Sequence, residues 1–346
     1  MGAGVMTQVS VFPTPVLPGL RNLLSRYAES TMWLARYMER IENMARLIEV
    51  TGTSVHASNM DAGWDSVIRI NADEDTFFLR HKVATERTVV EFYIIDPDNP
   101  DSIVSMARCV RENARVLRPL ISTEMWMHLN VFTRWAMDLG PDDVGASYLS
   151  TLCTRLKQEC QTHFGITEGT LYRDQAWLFY LLGKNLERAD QITRVIDIKY
   201  HTLLPSGEGV GSDIDLSQWT SVLRSAAAYH AFRRVLPEGM TPANIVGFLL
   251  KNDGFPRSLS SSLRCVYSVL GSLAGEYRLR HCGPILERVE ELRVTLAEQT
   301  VDDIILRGLH EYMDWIQREL RLIQNEIAGA FWPPVALQVA GNGRTQ

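Results

Sequence analysis

Residues 24–50, LSRYAESTMWLARYMERIENMARLIEV, decide the fold, because they form a long stretch without Pro or Gly. Apolar side chains recur three and four residues apart, which predicts one long amphipathic helix. Its apolar stripe contains Leu34, Tyr37, Met38, Ile41, Met44, Ala45 and Ile48. Its opposite face carries Arg36, Glu39, Arg40, Glu42, Asn43, Arg46 and Glu49. A charged helix face of this kind is ordinarily solvated.

The same charged pattern returns 148 residues later, in LFYLLGKNLERADQITRVID. When Glu39-Arg40 is aligned with Glu187-Arg188, every other charged residue of the first copy meets a residue of the same sign in the second. The further pairs are Arg36 with Lys184, Glu42 with Asp190, Arg46 with Arg194 and Glu49 with Asp197. A helix face that is only exposed to water needs polar residues but no particular order of charges. Because the order of positive and negative residues repeats, we expect this face to make contacts.

The bulk composition describes a globular protein. The chain has 346 residues, 46% of them hydrophobic, which is enough for a sizeable core. Its net charge is -6, and charges of both signs are interspersed, which argues against a general nucleic-acid binder. The five cysteines are spread out with no C-x-x-C pair, so we expect neither a disulfide framework nor a zinc ribbon, and a reducing compartment.

Three segments are predicted to be flexible. Residues 1–21 contain three prolines and no signal-peptide pattern, and we expect an N-terminal arm. Residues 205–213 are rich in Gly and Ser and predict a loop, and residues 332–346 predict a mobile tail. No apolar stretch reaches the roughly 18–20 residues that cross a bilayer. We therefore expect a cytoplasmic protein with no membrane contact.

The remaining residues, 22–331, predict an all-α, multi-helix bundle built on the duplicated long-helix motif. We expect two related halves that divide near residues 165–170, with turns at 52–59 and 165–169. The run VVEFYII at 89–95 has strand propensity, but no partner strand is evident and two short helices are predicted over 77–95. Further single helices are predicted at 144–163, 217–235, 257–273, 282–298 and 301–331.

Several kinds of chemistry lack their motifs. The chain has no Glu-x-x-His or His-x-x-x-His pair, which argues against di-metal and zincin sites. Glu124 and His128 are four residues apart, a spacing that favours a local hydrogen bond over a metal site. The run GEGVG at 207–211 has no preceding strand and no following Gly-Lys-Ser/Thr, so it is interpreted as linker. No metal and no cofactor are predicted.

What remains is a surplus of arginine in helical context, at positions 26, 36, 40, 46, 111, 115, 118, 188, 194, 233, 234 and 257. Guanidinium groups bind carboxylates and phosphates through two parallel hydrogen bonds. Two interpretations stay open. Either Arg–Glu networks fix the register of the helices, or some arginines converge on an interior anion pocket, with Glu39 and Glu187 orienting them or acting as acid–base groups.

Three runs, at residues 24–47, 111–130 and 228–259, together with the second Glu-Arg motif, resemble the bacterial alpha-E proteins in the same order, over about residues 22–331. The genes of that family commonly neighbour those of a circularly permuted ATP-grasp protein and a transglutaminase-like peptidase. The resemblance therefore implies a system that makes and trims a peptide or amide-linked metabolite. The second motif departs from the first, since Gly183, Lys184 and Asn185 replace Ala35, Arg36 and Tyr37, so the two copies are not expected to form equivalent sites.

Three functions follow as hypotheses. The first is an accessory partner of an ATP-grasp ligase that holds an acidic peptide, a small anionic metabolite or a phosphorylated intermediate. The second is an enzyme, a ligase or acyl/aminoacyl transferase, with Glu39 or Glu187 as the catalytic base. The third is a purely structural scaffold. Candidate ligand-binding residues are Arg26, Glu29, Trp33, Arg36, Tyr37, Arg40, Asn43, Arg46, Arg111, Asn113, Arg115, Glu124, Arg188, Arg194, Arg257 and Ser258.

Overall fold

The computed structural model describes residues 23–58, 63–203, 213–237, 239–279 and 281–333. These residues contain helices and no strand, which confirms the all-α prediction. The predicted N-terminal arm lies outside them. So do the predicted loop at 205–213, except for Asp213, and the predicted tail beyond residue 333.

The first half of the chain forms α1 (Ser25–Ser58), α2 (Trp64–Asn71), α3 (Glu74–Phe78), α4 (Glu86–Ile94), α5 (Ile103–Val116), α6 (Thr123–Met137) and α7 (Ala146–Thr170). The second half forms α8 (Gln175–Leu203), α9 (Asp213–Ser225), α10 (Tyr229–Val235), α11 (Pro242–Lys251), α12 (Leu259–Gly275), α13 (Cys282–Glu298), α14 (Val301–Arg307) and α15 (Leu309–Phe331). The run 89–95 is therefore helical for most of its length, as predicted.

The two copies of the charged motif, on α1 and α8, lie side by side at the centre of the fold. The Leu23 backbone N–H donates to Gln175 Oε1 at 2.8 Å near the beginning of both helices. Further along, Arg36 contacts Glu187 and Arg188 contacts Glu39. Because the sequence separation of these partners stays between 147 and 152, the two helices run parallel.

One hydrophobic core lies on each side of this pair. The apolar stripe of α1, including Leu34, Met38 and Ile41, packs with α2–α7. The apolar side chains of α8, including Leu186 and Ile196, pack with α9–α15. Because charged side chains of α1 bond to charged side chains of α8, the charged faces of the two helices are turned toward each other.

Close approach of α1 and α8 depends on Gly183. A Cβ atom built at this position would lie 2.2 Å from the Met32 carbonyl oxygen, which is backbone and cannot turn aside. The departure of the second motif from the first at this position thus has a packing reason, because only glycine has no Cβ.

Two predicted turns are wrong. The predicted turn at 52–59 is helical to Ser58, because Thr51 and Val55 continue the buried face and Gly52 packs against Trp64. The predicted turn at 165–169 lies within α7, which ends at Thr170. There His163 and Thr167 continue the buried face one turn apart, and the glycines lie on the exposed side.

Two predicted long helices are interrupted. The helix predicted at 217–235 breaks between α9 and α10, where Ala227 adopts a left-handed conformation with φ of 56° and Ala228 N–H donates to the Leu223 carbonyl. This is the geometry of a Schellman cap, the helix ending that ordinarily has Gly in the left-handed position. Because the sequence here has three consecutive alanines, nothing in it indicated that the helix ends. The helix predicted at 301–331 breaks at Gly308, whose φ is 109°.

Candidate functional site

Two Glu-Arg dipeptides exchange partners across the α1–α8 interface. Arg40 donates from Nε to Glu187 Oε1 at 2.7 Å and from Nη2 to Glu187 Oε2 at 3.1 Å. In return, Arg188 donates from Nε to Glu39 Oε1 at 2.9 Å. Both glutamates have no exposed surface. A buried carboxylate is stable only when it is paired and hydrogen-bonded, and each dipeptide meets that need for the other.

Three further contacts extend the Glu187 side of the network. Arg36 donates from Nε to Glu187 Oε2 at 2.9 Å and from Nη1 to Gln324 Oε1 at 3.0 Å. Arg40 also donates from Nη1 to Asp101 Oδ1 at 2.7 Å. Both oxygens of Glu187 are thus occupied by guanidinium donors.

On the other side, Glu39 and Glu42 share Arg257, which precedes α12. Arg257 Nη1 donates to Glu39 Oε1 at 2.6 Å and to Asn43 Oδ1 at 2.9 Å. Its Nη2 lies 2.8 Å from Glu42 Oε2, an ion pair without hydrogen-bond alignment. Arg46 completes this side by donating from Nη2 to Glu42 Oε1 at 2.6 Å.

The two motif copies differ where the alignment places Arg36 against Lys184. Lys184 does not reach Glu39; its ammonium lies 4.7 Å from the centroid of the Phe164 ring. Arg257, from a distant part of the chain, supplies Glu39 with the guanidinium that Arg36 supplies to Glu187. The copies therefore form unlike halves of one network.

Burial and charge oppose each other at Glu187. Burial alone would raise its pKa, but the Arg40 and Arg36 guanidinium groups beside it outweigh that effect and hold the pKa lowered to about 2. Glu187 is consequently a carboxylate at neutral pH and a weak proton acceptor. Glu42 behaves likewise, since Arg257 and Arg46 lower its pKa against the effect of burial.

A narrow recess opens beside this network, with a cavity volume of about 30 Å³. Its wall contains four pairs of residues that the 148-residue repeat relates, namely Arg40 with Arg188, Asn43 with Gln191, Met44 with Ile192 and Leu47 with Val195. Arg257, Asn71, Ser225 and Ala226 complete the described lining. The recess thus lies between equivalent faces of α1 and α8.

The charged residues that line the recess all have the same sign. Among the described lining residues, three carry guanidinium groups, at 40, 188 and 257, and none carries a carboxylate. The side chains of these arginines are 22%, 13% and 14% exposed, so they are largely withdrawn from water. The carboxylates that pair with them are not among the described lining residues, so the charged residues of this lining are all cations.

Some hydrogen-bond donors at the recess remain unused. Asn43 Nδ2 is shielded from solvent and has no partner among the described residues. Arg188 commits Nε to Glu39 and places Nη1 3.4 Å from the Pro256 carbonyl oxygen, and its Nη2 makes no hydrogen bond within the described part of the chain. For Asn43 Nδ2, which is buried, the missing partner costs about 1–3 kcal/mol.

The predicted residues early in α1 lie outside the recess lining. Arg26 is exposed and its guanidinium lies over the Tyr27 ring, and Glu29 is half-buried. Trp33 and Tyr37 stack with ring centroids 5.4 Å apart, and the guanidinium of Arg36 lies 4.5 Å from the Trp33 ring centroid. Trp33 thus supports Arg36 through a cation–π contact.

The structure does not bring Arg111, Asn113, Arg115 and Glu124 to the recess. Arg115 forms a surface pair with Glu112 at 2.7 Å, and Glu124 is exposed on α6. His128, four residues beyond Glu124, places Nε2 3.1 Å from the Glu159 carbonyl oxygen instead.

Arg194 and Ser258 have local roles. Arg194 pairs with Asp190 at 2.7 Å, the counterpart in α8 of the Arg46–Glu42 pair in α1. Ser258 caps α12, since its Oγ accepts from Ser261 N–H at 3.0 Å and donates to the Asn252 carbonyl at 2.6 Å. This cap fixes the backbone next to Arg257.

Sequence patterns did not indicate Asp101, Gln324, Asn71 and Gln191 as parts of the site. Gln191 could have been found, because the repeat aligns it with Asn43 and both side chains are amides. Asp101, Asn71 and Gln324 lie in segments outside the repeat, so only the packing of α1 and α8 against them identifies them.

Two features are absent from the described ranges. No helix there is both long and apolar enough to span a membrane. Those same residues contain no group of three or more His, Cys, Asp or Glu side chains placed to hold a metal ion.

The fold and the site together define a helical protein organised around a buried, duplicated Glu-Arg element. The chain belongs to the Alpha-E family, described as a predicted alpha-helical domain with a conserved ER motif, which it matches over residues 23–332. Of its four Glu-Arg dipeptides, those at 39–40 and 187–188 exchange ion pairs across the α1–α8 interface.

Curated relatives include uncharacterized proteins of Mycobacterium bovis and of Mycobacterium tuberculosis strain CDC 1551, each 24% identical over 351 residues. A third, from Mycobacterium tuberculosis strain H37Rv, is 23% identical over 351 residues. Each match covers 89% of this chain but only 38% of the relative, so the chain spans well under half the length of these proteins. No solved structure matches the chain.

Proposed function

We propose that this protein is an accessory binding component that holds an anionic ligand in the recess between α1 and α8. The observation that carries the proposal is the lining of three guanidinium and three amide groups without a carboxylate among the described residues. Withdrawn from water, such cations attract an anion more strongly than they would at the surface. Asn43, one of the lining residues, also has a buried amide nitrogen without a partner among the described residues.

The purely structural alternative accounts for the ion pairs, because Arg36, Arg40 and Glu187 form a closed network that fixes the register of α1 and α8. It does not account for a recess whose charged lining, among the described residues, is entirely cationic. A scaffold would be more stable with the cavity filled by apolar side chains. The recess thus favours a ligand in addition to the structural role.

The enzyme alternative is weaker. A general base needs a pKa near the working pH, and the pKa of Glu187 is lowered to about 2 with both oxygens occupied. Glu39 Oε2 has no hydrogen-bond partner among the described residues, yet Glu39 is fully buried and is not a lining residue of the recess. The enzyme hypothesis would be favoured if the purified protein converted a defined substrate and a folded Glu39→Gln variant did not.

The test of anion binding compares the same substitution at two asparagines, one in the recess and one outside it. Asn71 lines the recess and donates from Nδ2 to the Val67 carbonyl at 2.8 Å. Asn130 makes the same bond to the Trp126 carbonyl at 2.8 Å, on α6 and away from the recess. Both Asn71→Asp and Asn130→Asp lose this bond and add one negative charge.

Binding of butyrate and inorganic phosphate is measured by calorimetry in low-salt buffer, where exposed charges are least screened. We expect Asn71→Asp to lose anion binding through charge repulsion and Asn130→Asp to retain the wild-type affinity, with both folded by circular dichroism. If the wild-type protein binds neither anion, or if both variants bind as it does, the proposal is wrong.

The wider role we propose is that of a partner to a circularly permuted ATP-grasp ligase in a peptide or amide-bond-forming system, with a transglutaminase-like peptidase as a weaker candidate. Its support is the family resemblance and the greater length of the mycobacterial relatives, in which this region is one part of a longer chain. Five free thiols are consistent with the cytoplasm as its location.

Co-purification tests this wider role. A tagged ATP-grasp protein from the same genome should retain this chain, and deletion of the gene should change the product of the ligase in an untargeted metabolite comparison. Failure to co-purify together with an unchanged product would remove the wider role and leave anion binding standing.

A further inference from the structure

A second concave surface lies on the other side of the turn that joins α9 to α10. Ser225 and Ala226 of this turn line the recess, whereas Arg224 and Ala227 line an open groove with a volume of about 620 Å³. Ligand pockets typically enclose about 300–1,000 Å³, so the groove has room for a ligand much larger than the recess accepts. The described residues that line the two sites are different, so substitutions can address each site separately.

The side of the groove formed by α9 and α10 is basic. Residues 216–237 contain three arginines and no Asp or Glu. Arg224 and His230 line the groove. Arg233 and Arg234 follow His230 by three and four residues on α10, so they lie on the same helix face. All four residues are exposed, and the three arginines form no ion pair within the described part of the chain.

The side of the groove formed by α1 does not neutralise this charge. Glu49 is the one acid among the described lining residues, and both of its oxygens are engaged. Its Oε1 accepts from Thr154 Oγ1 at 3.2 Å, and its Oε2 accepts from the Lys157 ammonium. Arg46, also on α1, donates to the buried Glu42. Since these ion pairs are internally balanced, the arginines of the opposite side remain uncompensated cations.

The aromatic lining argues against a nucleic acid as the ligand. Proteins hold single strands by stacking the bases on aromatic rings. In the groove, the Arg224 guanidinium lies over the Tyr229 ring, 5.4 Å from its centroid, and His230 meets the ring in a T-shaped contact. Tyr229 also packs on the hydrophobic core, so little of its ring is left for a base. The net charge of -6 further opposes the approach of a polyanion.

The rest of the lining suits a polypeptide. Ser150 and Thr53 are exposed and place hydroxyl groups on the groove. Thr53 Oγ1 donates to the Glu49 carbonyl at 2.9 Å and can still accept from a peptide N–H. Val50 and Ala227 add apolar surface.

We propose that this groove is a docking site for an acidic peptide segment of a protein partner. The proposal goes beyond anion binding in the recess and does not depend on it. Arginine clusters are a recurring means of recognising acidic motifs. An exposed guanidinium binds a single carboxylate weakly, but carboxylates that are joined in one peptide bind with a higher effective concentration after the first contact forms.

The first arm of the experiment uses a short fluorescein-labelled peptide of alternating Glu and Ser, and fluorescence anisotropy on the wild-type chain in low-salt buffer. We expect it to bind at least about tenfold more tightly than the same peptide with Gln in place of Glu. A labelled single-stranded DNA with the same number of negative charges tests the alternative partner, and we expect weaker binding than that of the acidic peptide.

The second arm removes two cations of the groove in the double variant Arg224→Gln/Arg234→Gln. Its matched control is Arg108→Gln/Arg118→Gln, which changes the net charge equally. Arg118 is exposed, and its guanidinium lies over the Trp126 ring at the same 5.4 Å that separates Arg224 from its ring. Arg108 is exposed and forms no ion pair among the described residues. We expect peptide binding to weaken about five- to tenfold in the groove variant and to stay within about twofold of wild type in the control.

Three results would overturn the proposal: equal affinity for the Glu and Gln peptides, DNA binding as tight as that of the acidic peptide, or an equal loss in the two double variants. The last would show an effect of net charge alone. The recess is tested apart from the groove, since Asn71→Asp and Asn130→Asp should bind the peptide alike. A loss confined to Asn71→Asp would place the peptide in the recess and contradict the proposal. Peptide binding without butyrate or phosphate binding would remove the proposed function and leave the groove as a docking site.

Discussion

Arg40 and Glu187 form a two-point ion pair between neighbouring parallel helices, with donor–acceptor distances of 2.7 and 3.1 Å. The residues next to them, Glu39 and Arg188, form the reciprocal pair. When two surfaces are related by a two-fold axis, each contact from a residue on the first surface to a residue on the second has an equivalent contact in the opposite direction. The duplicated motif is therefore a self-complementary interface within a single chain.

Removing the acid of this pair should be strongly destabilising. Glu187→Gln leaves Arg36 and Arg40 buried without their carboxylate, and we expect the free energy of unfolding to fall by about 3–5 kcal/mol. Urea denaturation measures it. The matched control is Glu91→Gln, which breaks the exposed Arg87–Glu91 pair and should hardly move the unfolding midpoint. Equal effects of the two substitutions would contradict the assigned role of Glu187.

The contribution of Glu187 should depend on pH in a defined direction. Its pKa is lowered to about 2 in the folded state, so its stabilising effect is fully present above its ordinary pKa of about 4.5 and is lost as the pH falls toward 2. The stability difference between wild type and Glu187→Gln should be constant from pH 7 to about pH 5 and shrink below that. A difference that grows on acidification would refute this assignment.

The pH dependence of stability that comes from Asp73 should have the opposite sign. Burial raises its pKa to about 6, although Tyr93 Oη donates to it at 2.9 Å. A raised pKa means that the folded state binds the proton more tightly, so this stabilisation is present below about pH 4 and is lost as the pH rises through 6. Asp73→Asn should therefore gain stability over wild type between pH 4 and 7. Asp75→Asn, an exposed change on the same helix, is the control, and thermal unfolding across this range is the measurement.

Gly183→Ala should separate α1 from α8. The added Cβ would meet the Met32 carbonyl oxygen at 2.2 Å, and we expect a loss of about 1–3 kcal/mol from overpacking, with weaker pairing of Glu187. In Gly165→Ala, on the exposed side of α7, the Cβ meets nothing within 4 Å. That control should gain about 0.5–1 kcal/mol from helix propensity. A gain in both variants would show that the close approach is unimportant.

Local sequence patterns predicted the helices well where the signals were strong. Thr241, followed by Pro242, begins α11, and Ser102 caps α5, as their residue types indicate. The local patterns wrongly predicted turns at Gly52 and Gly165. At both positions, burial of one face of the helix in the tertiary structure outweighs the tendency of glycine to end a helix. These patterns also failed at Ala227, because a left-handed cap built from alanine leaves no sequence signal.

For the site, the repeat identified Glu39, Arg40, Glu187 and Arg188, since matching charges at a fixed offset are visible in one dimension. It could not identify Arg257 as the partner of Glu39, or Asp101 as the partner of Arg40. Those residues come from segments with no counterpart in the repeat, and a pairing between distant segments depends on how the helices pack.

The sequence by itself determined that this protein is helical and that two of its helices carry matching charged faces, because helical periodicity and charge sign are properties of local order along the chain. Only the tertiary structure decided that those faces meet in parallel, with Gly183 against Met32, and that they enclose a recess lined by cations. The reason is physical: an ion pair forms where backbone packing brings two side chains within about 3 Å, and that distance is set by every element that packs around α1 and α8.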